Sequence, residues 1–178
     1  MKQILGFAFA ALLAGNAMAF ELSSTDIAEG RTLNTAQVAN SFGCTGGNLS
    51  PALSWKNAPA GTRSFAVTVY DPDAPTGSGW WHWLAYDIPA STTGLSAAAV
   101  VKAALPAGTK QGHNDSGATN FGGACPPVGD KPHRYIFTVH ALKVEKLEVP
   151  ENASAAYIGF MLHATGLSKA QITATYSR

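Results

Sequence analysis

Ser64-Phe-Ala-Val-Thr-Val-Tyr-Asp71-Pro-Asp73-Ala-Pro75, a glycine-rich turn, and Trp80-Trp-His82-Trp83-Leu-Ala-Tyr-Asp-Ile88 form the stretch around which the chain is arranged. Phe65, Val67 and Val69 alternate with Ala66, Thr68 and Tyr70. That period of two, in β-branched and aromatic residues, predicts a half-buried strand. The strand stops at Asp71-Pro72, because proline lacks an N–H and bars the preceding residue from helix. Two carboxylates, Asp71 and Asp73, therefore fall in a stiff turn at its C-terminal end. A second strand beginning near His82 completes an antiparallel hairpin. Asp71, Asp73 and His82 then share one rim of a sheet.

The N-terminus reads differently from the rest. Lys2 supplies a positive start, Ile4 to Leu13 an apolar core, and Ala17-Met18-Ala19 a small-x-small cleavage site. Residues 1–19 are thus expected to be a secretory signal peptide, with an apolar core too short to span a bilayer. The rival reading is a buried N-terminal helix. Cleavage leaves Phe20 to Arg178 as one expected domain that does not span a membrane, with an expected periplasmic or secreted location. Once Lys2 is removed from the 12 basic residues, they balance the 11 acidic ones. Such a chain has no basic excess with which to hold nucleic acid. Charged residues are only 13% of the chain, so any anion site has to be local. Cys44 and Cys125 are the two cysteines, and in an oxidising compartment they are expected to form a disulfide. The alternative is a catalytic or metal-binding thiol.

Leu53 and Trp55 alternate in a short strand, and Glu21 to Ser24 reads as a possible edge strand. Pro89 to Gly108, rich in Ala, Ser and Thr, reads as a surface excursion. The Gly-, Asn- and Pro-rich run from Gln111 to Pro127 is a loop long enough to be functional or disordered. His133-Arg-Tyr135-Ile-Phe137-Thr-Val139-His140-Ala-Leu142 alternates strongly, with His133 on the Tyr135 face. A helix is predicted over Asn152 to Thr165, capped by Asn152, packed through Ala155, Ala156, Ile158, Gly159 and Leu162, and ended by Gly166. Gln171 to Tyr176 reads as a closing strand. The sum is a mainly β chain with one C-terminal helix.

Should the strand from 134 to 142 lie antiparallel to 64–71, Asp71, Asp73, His82, His133 and Tyr135 converge under the glycine loop before Cys125. Imidazoles, a phenol and backbone N–H groups are donors, a set suited to phosphate or a carboxylate. Zinc is the competing use of histidine and aspartate, but no His-x₃-His or His-Glu-x-x-His spacing is present, and neither a metal nor another cofactor is expected. No Gly-x-Ser-x-Gly elbow is present either. His113, His140 and His163 read as hydrogen-bonded structural residues. Trp80, Trp81 and Trp83 read as core packing or, for the first two, as an aromatic lip around the pocket.

These motifs carry a resemblance. Asp71-Pro-Asp-Ala-Pro75 followed by His82-Trp83, Pro126-Pro127 followed by His133-Arg-Tyr135, and Asn48-Leu-Ser-Pro-Ala-Leu-Ser-Trp55 together resemble the phosphatidylethanolamine-binding protein family, in its bacterial branch named for the Raf kinase inhibitor protein. The resemblance implies two packed antiparallel sheets and a shallow pocket for phosphate or phosphorylated head groups, and the first reading of the chain is a non-enzymatic binding protein. Matched motif by motif, Asp71, His82, His133 and Tyr135 take the pocket positions and Asp73 supports them. Ala124-Cys125-Pro126 stands where animal members carry a Gly-Pro segment of the pocket wall. The animal members' charged insert is replaced by Thr76-Gly-Ser-Gly79, which argues against kinase-type partners. The alternatives are an inhibitor or interaction protein acting on a protein partner and, least favoured, a hydrolase using His82 or His133 as base. The tight reversal after Asp71 and the resemblance together predict a cis bond at Ala74-Pro75.

Overall fold

The computed structural model describes residues 18–99, 101 and 104–178; residues 1–17, nearly all of the expected signal peptide, lie outside the described residues. Strands β1 (Glu21–Ser23), β2 (Leu53–Lys56), β3 (Ser64–Asp71), β4 (Trp80–Pro89), β5 (Gly94–Leu95), β6 (Lys110–Gln111) and β7 (His133–Leu142) are followed by helix α1 (Ala155–Thr165) and strand β8 (Gly166–Tyr176). They form two sheets, β1-β2-β5 and β6-β4-β3-β7-β8, in which every pairing is antiparallel.

Phe65, Val67 and Val69 of β3 face the small sheet, meeting Trp55 and Leu53, and are joined by Phe137 and Val139 of β7. The other face of the large sheet is also covered. Ala66, Leu84, Tyr86 and Leu142 pack there against Ile158 and Leu162 of α1. Central strand β3 is therefore buried on both faces rather than half-buried, since Ala66 and Thr68 are shielded as well as Val67. Small Ala66 leaves room for helix side chains on that face. At about 25 cal/mol per Å², burial of the large apolar residues on both faces is the main stabilising term.

Helix α1 is capped by Ser154, whose Oγ accepts from the Tyr157 N–H at 3.2 Å, not by Asn152. Ala155, Ile158 and Leu162 are buried as expected, while Ala156 is exposed. Gly159 is half-buried, and a Cβ there would come within 3.2 Å of the Trp81 ring. The segment from Pro89 to Gly108 is not wholly a surface excursion. It contributes β5 and buries Leu95, Ala98 and Ala99.

Cys44 and Cys125 form the expected disulfide, with Cα atoms 6.0 Å apart. The Ala74–Pro75 bond is trans, contrary to expectation. The reversal needs no cis bond, because Asp71 Oδ1 accepts from the N–H groups of Asp73 and Ala74 at 2.8 and 3.1 Å. Gly77 and Gly79, at φ +80° and +69°, complete it in the left-handed region that glycine adopts without steric penalty.

Candidate functional site

Strand β7 runs antiparallel to β3, with Tyr70 opposite Ile136, so the end of β3 and the start of β7 share an edge. β4 begins at the same place, with Trp80 opposite Asp71. A register shift follows: Val69 lies opposite Trp83 and Tyr70 opposite Trp81, which leaves His82 as the extra residue of a β-bulge. Bulges re-aim a side chain relative to strict alternation. His82 borders the cleft while its neighbour Trp83 enters the sandwich core.

The cleft has a volume of about 550 Å³. Asp71, His82, His133 and Tyr135 line it from the sheet, and Cys125, Pro126 and Pro127 form a wall. Trp80 and Phe42 stand at its margin. Asp73 does not line it. Its carboxylate is turned outward to Arg134, accepting from the backbone N–H, Nε and Nη2 at 2.9, 2.8 and 2.7 Å. Those Arg134 bonds hold its pKa down at about 2. Ala124 lies behind the wall, its backbone locked by Ala124 N–H to Gln37 O at 3.0 Å and Ala39 N–H to Ala124 O at 2.9 Å. Of the tryptophans, Trp83 is core, Trp80 lines the cleft, and Trp81 packs against Tyr70 in a tilted arrangement with ring centroids 4.7 Å apart.

His133 and Asp71 are a buried pair, with side chains 5% and 3% exposed and Nδ1 2.8 Å from Oδ2. Nε2 of His133 lies 3.2 Å from Asp130 Oδ2. Burial opposes the charged imidazole, but the Asp71 and Asp130 carboxylates outweigh it and raise the His133 pKa. Two acceptors on the two ring nitrogens are satisfied together only by the doubly protonated ring. His82 differs. Its Nδ1 is 2.9 Å from the Gly122 carbonyl, and its Nε2 is buried with no hydrogen-bond partner among the described residues. Burial pushes its pKa down, against smaller opposing contributions from the Gly122 carbonyl and Asp71. A carbonyl can only accept, so the proton of neutral His82 sits on Nδ1 and Nε2 carries a lone pair. Tyr135 meets the His82 ring edge-on at 5.2 Å and remains a neutral phenol, since burial, then Asp71, raises its pKa.

Loop residues outside the expected set hold this arrangement. Asn48, at φ +51°, accepts the Gly123 N–H on Oδ1 at 2.7 Å and so fixes the segment carrying the Gly122 carbonyl. A Cβ on Gly123 would sit 2.5 Å from the Ala39 nitrogen, so this approach requires glycine. Buried Asn114 accepts the N–H groups of Ser116 and Ala118, each at 3.0 Å, and donates to the Asn120 carbonyl at 3.1 Å. The long loop is thus ordered by asparagine side chains that mimic backbone. Arg178 stands at the rim, with Nε donating to Pro126 O at 2.6 Å and Nη2 to Phe42 O at 3.4 Å. No carboxylate lies within 4 Å of that guanidinium among the described residues. Among them, too, no three His, Cys, Asp or Glu side chains are grouped to hold a metal ion.

A family model described as phosphatidylethanolamine-binding protein matches residues 23–177. UPF0098 protein YbcL of Escherichia coli is 54% identical over 162 residues, covering 90% of this chain and 88% of that one. Its crystal structure, described as that of a new member of the mammalian PEBP family, superposes with a TM-score of 0.86 at 53% identity, covering 89% of this chain and 98% of the other. UPF0098 protein YbhB of E. coli is 48% identical, covering 88% and 99%. The putative lipoprotein LppC of Mycobacterium tuberculosis is 32% identical, covering 79% and 66%.

Proposed function

The chain belongs to the phosphatidylethanolamine-binding protein family, and from that premise we propose that it is an exported, non-enzymatic binding protein whose cleft takes phosphate or a phosphorylated head group. The observation that carries this reading is the unpartnered Nε2 of His82, buried and bordering the cleft. A buried polar atom without a partner costs about 1–3 kcal/mol, which a ligand relieves on binding. An oxyanion does so in one of two ways. It brings its own proton to Nε2, or it draws a second proton onto the imidazole and accepts a charge-assisted bond. The guanidinium of Arg178 favours negative charge at the same opening, and apolar walls from Trp80, Phe121 and Pro126 strengthen such contacts by excluding water.

Export is supported by the Cys44–Cys125 disulfide, by the leader-like residues 1–19, and by a relative carrying a lipoprotein name. We assign the mature chain to the periplasm, beginning at Phe20. A second reading, capture of a protein segment, is favoured by Phe42 and Val128, which are 72% and 77% exposed on loops beside the cleft. Calorimetric titration with phosphate separates the pocket from the rest of the chain. His82→Ala should lose roughly tenfold or more in affinity. His140→Ala, on the other face of the large sheet, should bind as the parent does. Equal losses would place the ligand elsewhere.

A further inference from the structure

His133 is buried with both its nitrogens already engaged, and the two carboxylates engaging them differ in kind. Asp71 uses both oxygens inside the protein and is 3% exposed. Asp130 reaches His133 from the surface turn Pro127-Val-Gly-Asp130, with a side chain 40% exposed. The turn is closed by the Asp130 N–H donating to Pro127 O at 3.3 Å, and Gly129 at φ +87° supplies the left-handed third position. Among the described residues, the carboxylate's one recorded bond is the 3.2 Å contact with His133 Nε2, longer than the 2.8 Å contact on the Asp71 side. His133 also borders the cleft, one strand alternation from Tyr135, which touches His82.

We propose that Asp130 is a resident carboxylate that occupies the anion-contact nitrogen of His133, so that a ligand's oxyanion binds by displacing it. This rests on the oxyanion reading of the cleft. Displacement requires only that an exposed aspartate turn to water, where it is fully solvated. Being tethered three residues away, Asp130 competes at an effective concentration of roughly millimolar or higher. A monoanion such as acetate, whose carboxylate only duplicates that of Asp130, has no further contact to set against that. An oxyanion with several acceptor oxygens replaces the carboxylate at His133 and also satisfies His82 Nε2. Asp130 therefore decides which anions the pocket admits, excluding small ones that match it contact for contact.

The test is titration of the disulfide-bonded chain with sulfate and with acetate at pH 6, for the parent, Asp130→Asn and Asp130→Ala. Both variants should hold sulfate about tenfold more tightly, the gain expected from removing a half-exposed charged competitor. Both should also acquire saturable acetate binding that the parent lacks. In the parent, saturating sulfate should shift the carboxyl carbon resonance of Asp130 and the Nε2 resonance of His133. Sulfate binding to the parent with no gain in either variant, or with an unmoved Asp130 resonance, overturns the role of Asp130 and leaves the pocket standing. The resonance decides the matter even where a variant fails to fold. Absence of sulfate binding in all three proteins overturns the pocket reading and this inference together.

Discussion

Asp71→Asn removes one charge from a pair whose side chains are 3% and 5% exposed and leaves one oxygen where two are used, so its NH2 must face either His133 Nδ1 or the N–H groups of Asp73 and Ala74. Removing one partner of a buried pair costs about 3–5 kcal/mol when the remaining charge has no other outlet. Here Asp130 still faces the imidazole, and the ring can shed its proton, so a loss of about 2–4 kcal/mol is expected near pH 6. The loss should depend on pH with a definite sign. The folded pKa of His133 is raised above its unfolded value of about 6.5. Stability from the charged pair is therefore complete below the unfolded value and fades as pH rises through the folded one. Urea unfolding of the parent and the variant at pH 6 and pH 9 measures this, with unchanged m-values confirming that only stability has moved. The difference between the two proteins should shrink at pH 9. A variant as stable as the parent at pH 6, or a loss equal at both pH values, would refute the ion-pair description of the rim.

Gly123→Ala places a Cβ 2.5 Å from the Ala39 nitrogen, against backbone that cannot rotate aside. Chemical denaturation should show a loss of about 1–3 kcal/mol, and phosphate affinity should fall as the Gly122 carbonyl leaves His82; undiminished affinity would mean the loop does not set the His82 ring. Replacing both Cys44 and Cys125 by serine opens a cross-link with a sequence separation of 81 and should reduce stability by about 4 kcal/mol on the chain-entropy account. Thermal melting of the double variant against the oxidised parent checks it, and coincident transitions would contradict it.

The large sheet was legible because its strands alternate: Phe65, Val67 and Val69 on β3, then Tyr135, Phe137 and Val139 on β7, could face only a core. Alternation could not show that the opposite face is covered too, since Ala66 and Thr68 look as suitable for solvent contact as for a helix. The same periodicity placed Asp71 and His133 on one face, and the structure pairs them. It misread Asp73, two residues on, because the chain has already left the strand at Pro72 and the carboxylate swings to Arg134. His82 reaches the cleft through a bulge, which is set by pairing across strands and leaves no trace in a single segment. Asn48 and Arg178 reach partners dozens of residues away, Asn114 and Asp130 mainly partners a few residues along the same loop, and no period announces either kind. Asn48 stood in a quoted motif and Asp130 in a Pro-Val-Gly-Asp turn, so the available signals were turn chemistry rather than pattern. The helix cap moved from Asn152 to Ser154 for a similar local reason, since either side chain can accept the first free N–H groups.

Sulfate titration at pH 5.5 and pH 8 bears most directly on the claim that the cleft is an oxyanion site built on histidine. Sulfate keeps its charge across that range and has no proton to lend to His82 Nε2, so it binds there only when the imidazole itself takes up a second proton. Burial holds the His82 pKa down in the free protein, and each bound ion should then carry a proton in with it. The account predicts affinity at least about tenfold weaker at pH 8, with proton uptake visible as a dependence of the binding heat on buffer. Equal affinity at both pH values, with no proton uptake, would contradict it.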